Sequence, residues 1–331
     1  MITGKGIRIV AMGKYLPKQL SSEELENKFK INSGWSKKYT GVDYRHHVTF
    51  ESNGYMGARA AEEALAIAGM DLSNIDMIIS AGATYDYPIP NQASVIKAEM
   101  KNGDNYLFPA IDIDSTCLSF VTALDLTARI LDGKSMKNIL IVSTEISSKG
   151  LDYENWETTT LFGDGAAAAI VSFDEDSGSL YVKGMQRTYA EGVFHSIIEA
   201  GGNKNSFKDN PYTKEMYSFK MKGKQMLRLA KNEIPLFMNS FFSDLPINLE
   251  EVEVIIPHQA SKMGMTLFDK MYSFKEGQVK ESLSKYGNCI AASIPLTLYD
   301  CIQSGELKKG DFCFLSGTSA GFSIGGVLLK Y

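Results

Sequence analysis

Residues 71–84, DLSNIDMIISAGAT, and residues 248–261, NLEEVEVIIPHQAS, share one pattern: a turn, an acidic-flanked strand rich in Val and Ile, then small polar residues. A second pair follows in the same order. GKSMKNILIVSTEISSKG leads on to LFGDGAAAAIV, and GELKKGDFCFLSGTSAG leads on to FSIGGVLLKY. Each runs from a Gly/Lys turn through a strand and a small-residue loop into another strand. Two matches in one order imply a duplicated fold, with halves at 1–175 and 176–331.

Within the first half, strand and helix patterns alternate. NGYMGARAAEEALAIAGM spaces its apolar residues three and four apart, as a helix does, and NIDMIIS is a strand. PNQASVIKAEM is a helix opened by proline, FPAIDID a strand, and LSFVTALDLTARILDG a helix ending at Gly133. Such alternation implies α/β architecture, with mostly parallel sheets covered by helices on both faces. The polar stretch 200–213, AGGNKNSFKDNPYT, is expected to be a surface loop.

Of 331 residues, 44% are hydrophobic, enough for a large core, and the net charge is −5. That balance argues against nucleic acid as the main partner, since phosphate binding needs a basic face. Cysteines stand at 117, 289, 301 and 313, with no CxxC pair, so a zinc ribbon is disfavoured and a reducing compartment fits. MITGKGIRIVAMGKYLP reads as a Gly-bounded strand without a signal-peptide core, and no run reaches the roughly 18 apolar residues of a membrane span. The expected setting is the cytoplasm, with no membrane partner.

Cys117 lies where the strand FPAIDID gives way to a helix. Ser115 and Thr116 can cap a helix starting near the cysteine, and the positive end of that helix would lower the thiol pKa. A buried cysteine that packs as a small hydrophobe is the alternative. VEVIIP delivers His258 to the carboxyl end of a strand, where open α/β sheets gather their active sites; a structural histidine remains open there. Asn288, in YGNCIAASIP, is either an N-cap or a side-chain donor to a developing oxyanion. Together the three fill the roles of nucleophile, acid/base group and oxyanion donor.

DSTCLSF, LFGDGAAAAIV, IPHQAS, YGNCIAASIP and the terminal GTSAGFSIGG resemble, in order, the motifs of β-ketoacyl-ACP synthase III, of the thiolase superfamily. The resemblance covers essentially the whole chain. It implies a thiolase-like five-layer αβαβα sandwich built from two duplicated halves, usually as a homodimer. It also implies an acyltransferase of fatty acid or specialised acyl biosynthesis that holds an acyl group on Cys117 and condenses it with malonyl-ACP, with loss of CO2. His258 and Asn288 would stabilise the negative charge that follows decarboxylation. The backbone amides of Cys117 and Ala320 would hold the second oxyanion. Donors of this kind are worth about 3–4 kcal/mol each. No metal or redox cofactor is implied; the acyl thioester, on CoA or ACP, and malonyl-ACP are the substrates. A phosphate-loop reading of FGDGAAAA lacks the required lysine and spacing.

The chain departs from the family at the CoA tunnel. Trp35 is kept, but Tyr39, Trp156 and Met263 stand where the family commonly has arginines, and these side chains cannot grip phosphate with two prongs. These departures from the family lead to the expectation of priming by an acyl-ACP or a specialised acyl-CoA. Ile89, in ATYDYPIPNQAS, stands near a position usually held by Phe, on a loop that in the family reaches the partner subunit's acyl pocket. Lys224, Arg228 and Lys231 share one helical face, and with Lys262 they form a candidate patch for an acidic acyl carrier protein. A relative that moves the acyl group from Cys117 to an alcohol or amine without condensation is the alternative function.

Overall fold

The computed structural model describes residues 3–206, 208 and 213–331. Phe207 and residues 209–212, part of the stretch expected to form a surface loop, lie outside the described residues. The strands of the first half are β1 (Ile7–Tyr15), β2 (Lys18–Ser21), β3 (Tyr44–His47), β4 (Met77–Ala81), β5 (Ala110–Ile113), β6 (Asn138–Glu145) and β7 (Gly165–Phe173). Those of the second are β8 (Leu180–Thr188), β9 (Ser196–Ile197), β10 (Lys220–Met221), β11 (Val254–Pro257), β12 (Phe312–Ser319) and β13 (Ser323–Lys330).

They form a five-stranded sheet, β1-β7-β6-β4-β5, a four-stranded sheet, β11-β12-β13-β8, and two small ribbons. The large sheets are mixed rather than mostly parallel as expected, because β12 returns into β13 through a tight hairpin instead of a helical crossover, and both sheets repeat one arrangement. In the first, β4 runs parallel to β6, β6 antiparallel to β7, and β7 antiparallel to β1. In the second, β11 runs parallel to β12, β12 antiparallel to β13, and β13 antiparallel to β8. The approaches repeat as well. A single 3-10 turn precedes each of β4 and β11, at Leu72–Asn74 and Leu249–Glu251. Each turn closes on its own start: Asn74 accepts the Asp71 N–H at 2.9 Å and Glu251 accepts the Asn248 N–H at 2.9 Å.

Helices Ser119–Ile130 and Ser293–Gln303 lie between the sheets. Their Phe120, Leu124, Ile294 and Leu298 share one core with Ile79, Ile139 and Ile141 of the first sheet and Cys313, Leu315 and Val327 of the second. Side chains alternate along each strand, so Ile78, Leu140 and Val142 point the other way, onto helices Asn53–Ala68 and Gln92–Glu99. On the far side, Ile255, Phe314 and Leu328 pack on helix Gly223–Phe242 through Phe237 and Phe241. The layers thus run helix, sheet, helix, sheet, helix, the expected αβαβα sandwich. Burial of both sheet faces explains why the strands read as nearly continuous apolar runs. Each fully buried Ile or Leu contributes about 1.5–3 kcal/mol.

This layering positions the chemistry. The 3-10 turn Thr116–Leu118 follows β5 and packs against β12 and against the 3-10 turn Ile290–Ala292, so residues of both halves meet at one seam. Among the described residues, no helix is long and apolar enough to cross a membrane.

Candidate active site

Cys117 sits within the 3-10 turn Thr116–Leu118, and the α-helix begins only at Ser119. The expected cap is different in detail. Ser115 makes no side-chain cap; instead the Ser119 hydroxyl accepts the Ser115 N–H at 2.9 Å and donates to the Thr116 carbonyl at 2.7 Å. Thr116 takes φ +51°, a left-handed conformation that costs a β-branched residue energy. Its hydroxyl donates to the Ala320 carbonyl at 3.2 Å, which ties the nucleophile turn to the loop between β12 and β13.

The expected lowering of the Cys117 pKa is overturned. Burial pushes the thiol up to about 12, although the backbone N–H groups of Ala320 and Cys117 donate toward the sulfur and act the other way. Glu145 and Asp114 add to the rise through their negative charge. The residue retains some exposed surface, but the sulfur itself stands in desolvated surroundings. Cys289, Cys301 and Cys313 are buried in the core and play the part of small hydrophobes.

His258 follows β11 and is 5% exposed. Its N–H donates to the Ser316 carbonyl at 2.8 Å, which continues the β11–β12 ladder and fixes the backbone. Burial alone lowers its pKa to about 4, so the imidazole is neutral at neutral pH, and Nδ1 is buried without a hydrogen-bond partner. Gly317 makes the close approach possible: a Cβ there would lie 2.6 Å from His258 Cβ and 3.5 Å from Leu118 Cδ2, beside the nucleophile. With the thiol raised and the imidazole lowered by burial, both groups rest neutral at neutral pH.

Asn288 is not a helix cap. Its backbone bridges to the FGDG segment: its N–H donates to Leu161 at 2.9 Å, and its carbonyl accepts the Gly163 N–H at 3.1 Å. Its Oδ1 accepts the Ile290 N–H at 2.8 Å, and its Nδ2 donates to the Ala260 carbonyl at 3.1 Å. These two bonds fix which end of the amide is the donor and leave its second N–H free among the described residues. Ala260 is two residues beyond His258, so the same loop carries the histidine and orients the asparagine. Ile290 at φ +47° and Phe322 at φ +36° join Thr116 as strained residues around the seam.

The FGDG segment is a packed turn. The buried Asp164 accepts the N–H groups of Val48, Ser147 and Ser148 at 2.8–2.9 Å, together with both serine hydroxyls. A Cβ at Gly163 would lie 2.1 Å from the Tyr286 carbonyl oxygen. The Gly163 and Asp164 N–H groups are themselves engaged, by the carbonyls of Asn288 and His46.

Farther out, Trp35 and Trp156 meet edge to face at 6.0 Å, with Tyr39 4.7 Å from Trp35. Lys262 lays its stem on Gly41. Lys224, Arg228 and Lys262 are exposed, and none forms an ion pair among the described residues. Ile89 is 88% exposed. Glu145 was not anticipated from sequence: it is fully buried at the end of β6, close enough to Cys117 for its charge to be felt there.

The family model described as 3-oxoacyl-[acyl-carrier-protein (ACP)] synthase III matches residues 111–186, and its C-terminal counterpart matches residues 243–331. A β-ketoacyl-[acyl-carrier-protein] synthase III from Aquifex aeolicus is 31% identical over 327 residues, 98% of this chain and 100% of the relative. One from Neisseria gonorrhoeae is 30% identical over 328 residues, 98% of this chain and 99% of the relative. The crystal structure of the A. aeolicus 3-oxoacyl-[acyl-carrier-protein] synthase III matches with a TM-score of 0.87 at 28% identity, covering 98% of this chain and 100% of that one.

Proposed function

The chain belongs to the 3-oxoacyl-[acyl-carrier-protein] synthase III family, and from that premise we propose that it condenses an acyl thioester with malonyl-ACP, with loss of CO2, to give a β-ketoacyl-ACP. The Cys117 sulfur attacks the acyl thioester carbonyl. The carrier sulfur leaves and takes the thiol proton, so the acyl group rests on Cys117 as a thioester. The amides of Cys117 and Ala320 receive the oxyanion of this step and of the later condensation. Malonyl-ACP then enters. The bond to its carboxylate breaks, CO2 departs, and the electron pair forms an enolate whose oxygen accepts from the neutral His258 imidazole and the free N–H of Asn288. The enolate carbon attacks the acyl carbonyl, and the Cys117 sulfur leaves and takes up a proton from solvent.

The observation that carries this reading is the meeting of the Cys117 turn with β12 and with the turn Ile290–Ala292, tied to the Ala320 loop by the Thr116 hydroxyl at 3.2 Å. Donors fixed in advance stabilise developing charge without reorganisation. The chemistry as drawn uses no metal or redox cofactor.

The aromatic mouth favours a primer that arrives without nucleotide phosphates. Trp35, Tyr39 and Trp156 cluster there, and Asp152, Glu154 and Glu157 flank Trp156, with Lys214 engaged by the first two. These groups suit pantetheine better than a polyphosphate. The exposed Lys224, Arg228 and Lys262 suit an acidic carrier protein. The active form is a homodimer built on the open edge of β5, where Leu107 is 96% exposed and Ile111 37%, near Tyr85, Tyr87 and Ile89. Four free cysteines fit a cytoplasmic setting.

The test is intact-protein mass after incubation with a panel of acyl-CoAs and acyl-ACPs, followed by malonyl-ACP. An acyl adduct on Cys117 that is discharged with CO2 release is the expected result, and the donor that loads best names the primer carrier. An adduct that forms but releases no CO2 establishes the non-condensing acyltransferase instead.

A further inference from the structure

Glu145 is a fully buried carboxyl with no cationic partner among the described residues. A buried acid without a counter-ion is costly, and burial pushes this one up to about 8. What it receives in return is four donors from two segments. Oε1 accepts the Ala83 N–H at 2.8 Å and the Ala291 N–H at 3.4 Å. Oε2 accepts the Thr84 N–H at 3.0 Å and the Thr84 hydroxyl at 2.6 Å. The Thr84 hydroxyl in turn accepts the Ile146 N–H at 3.0 Å. One side chain at the end of β6 thus ties the exit of β4 to the turn Ile290–Ala292. That turn begins with Ile290, whose N–H fixes Asn288 Oδ1.

We propose that Glu145 is a positioning residue for the decarboxylation half of the reaction: by holding Ala291 it sets the turn that aims the free Asn288 N–H at the enolate oxygen. The inference rests on the condensing function proposed above. Glu145 touches no substrate and acts through Asn288. The requirement for a carboxyl follows from the donor count. Both of its oxygens face donors, and in the protonated carboxyl the hydroxyl oxygen still accepts, whereas the nitrogen of a Gln amide cannot, so Glu145→Gln leaves either the Ala83 and Ala291 side or the Thr84 side facing an NH2 group that accepts nothing.

The test separates two single-turnover rates in the full-length enzyme: loading of Cys117, read by intact mass, and release of labelled CO2 from malonyl-ACP by the loaded enzyme. In Glu145→Gln the CO2 rate is expected to fall at least about tenfold while loading stays within about twofold. In an Asn288→Ala background, Glu145→Gln is expected to add little further loss, the signature of two residues acting through one contact. Parallel losses in both rates, an unchanged CO2 rate, or fully additive losses in the double variant overturn the proposal. Should Glu145→Gln fail to fold, Glu145→Asp carries the same comparison, because its shorter reach withdraws the carboxylate from the Ala291 N–H. Wild-type enzyme that loads and releases no CO2 refutes the condensing function itself; wild type that releases CO2 while the variants match it refutes only the role of Glu145.

Discussion

Gly317→Ala places one methyl group against the wall of the site without removing any polar atom of it. Gly317 lies on β12 opposite Gly325 of β13, and its φ is one that alanine adopts freely. A Cβ there would stand 2.6 Å from His258 Cβ and 3.4 Å from the His258 backbone nitrogen. Carbon atoms at rest sit about 3.5–4.0 Å apart, so the histidine and the methyl must separate by about 1 Å. Cβ is the root of the side chain, and β11 is held to β12 by its ladder, so the strain falls on the imidazole's position. Overpacking of this kind costs about 1–3 kcal/mol of stability. A displacement of about 1 Å in a positioned group costs about a hundredfold in rate. Leu118 Cδ2, at 3.5 Å from the same point, is in ordinary contact, so Cys117 is undisturbed. The expected outcome is a roughly hundredfold fall in CO2 release by the loaded enzyme, with Cys117 loading within about threefold. Gly325→Ala is the control: its Cβ meets Leu118 Cδ1 at 3.2 Å and Gln186 Cγ at 3.5 Å, side-chain atoms that can give way, so both rates should be nearly unchanged. Full decarboxylation by Gly317→Ala, or equal losses in both rates, refutes the placement of His258 in the decarboxylation step.

Cys117→Ala should abolish acyl loading while leaving the thermal midpoint within a few degrees, because the substitution removes a single sulfur atom and leaves the turn's backbone bonds intact; a loaded Cys117→Ala protein sinks the assignment of the nucleophile. The buried Glu145 should leave a signature in stability against pH. Its carboxyl has an ordinary value of 4.5 and stands at about 8 when folded, so between those values the folded chain holds a proton that the unfolded chain has released. Stability from this group is therefore full below pH 4.5 and is lost as pH rises toward 8, by about 5 kcal/mol at most. Urea midpoints of wild type should fall relative to Glu145→Gln across that window, and parallel curves refute the buried ionisation. Arg228→Glu should raise KM for malonyl-ACP several-fold with kcat little changed, and an unchanged KM removes Arg228 from the carrier surface.

Much of the architecture was legible because duplication leaves traces at every level. DLSNIDMIIS and NLEEVEVIIP became β4 and β11, each with its 3-10 turn. The Gly/Lys-led strands became β6 and β12, and the small-residue strands β7 and β13. Cys117, His258 and Asn288 were legible as candidates since each follows a strand or turn that a duplicated α/β fold must aim at the seam. Glu145 was not. In NILIVSTE it reads as a polar strand exit, and only the docking of residues 83–84 and Ala291 buries it. The protonation state of Cys117 was misjudged for a related reason. Helix-end electrostatics is a local effect visible in DSTCLSF, whereas desolvation by the opposite half is not, and desolvation is the larger cause.

The backbone conformations around the seam point to one origin for its precision. Among the described residues five non-glycines take positive φ, and two of them, Lys30 and Asn102, sit at helix or turn ends where that conformation is common. The other three are Thr116, Ile290 and Phe322: one beside the nucleophile, one bonded to the Asn288 amide, one beyond the Ala320 loop. Each costs about 1–3 kcal/mol and persists only where its surroundings over-determine it. Here the surroundings are identifiable. Thr116 is held by Asp114, which accepts its N–H at 2.7 Å, and by Ala320. Ile290 is held between Asn288 and the Ala291 bond to Glu145. Phe322 is fully buried and its carbonyl accepts the Tyr189 N–H at 3.0 Å. The strain is thus carried by contacts between segments distant in sequence, and the donor geometry of the seam is set by the folding of both halves against each other.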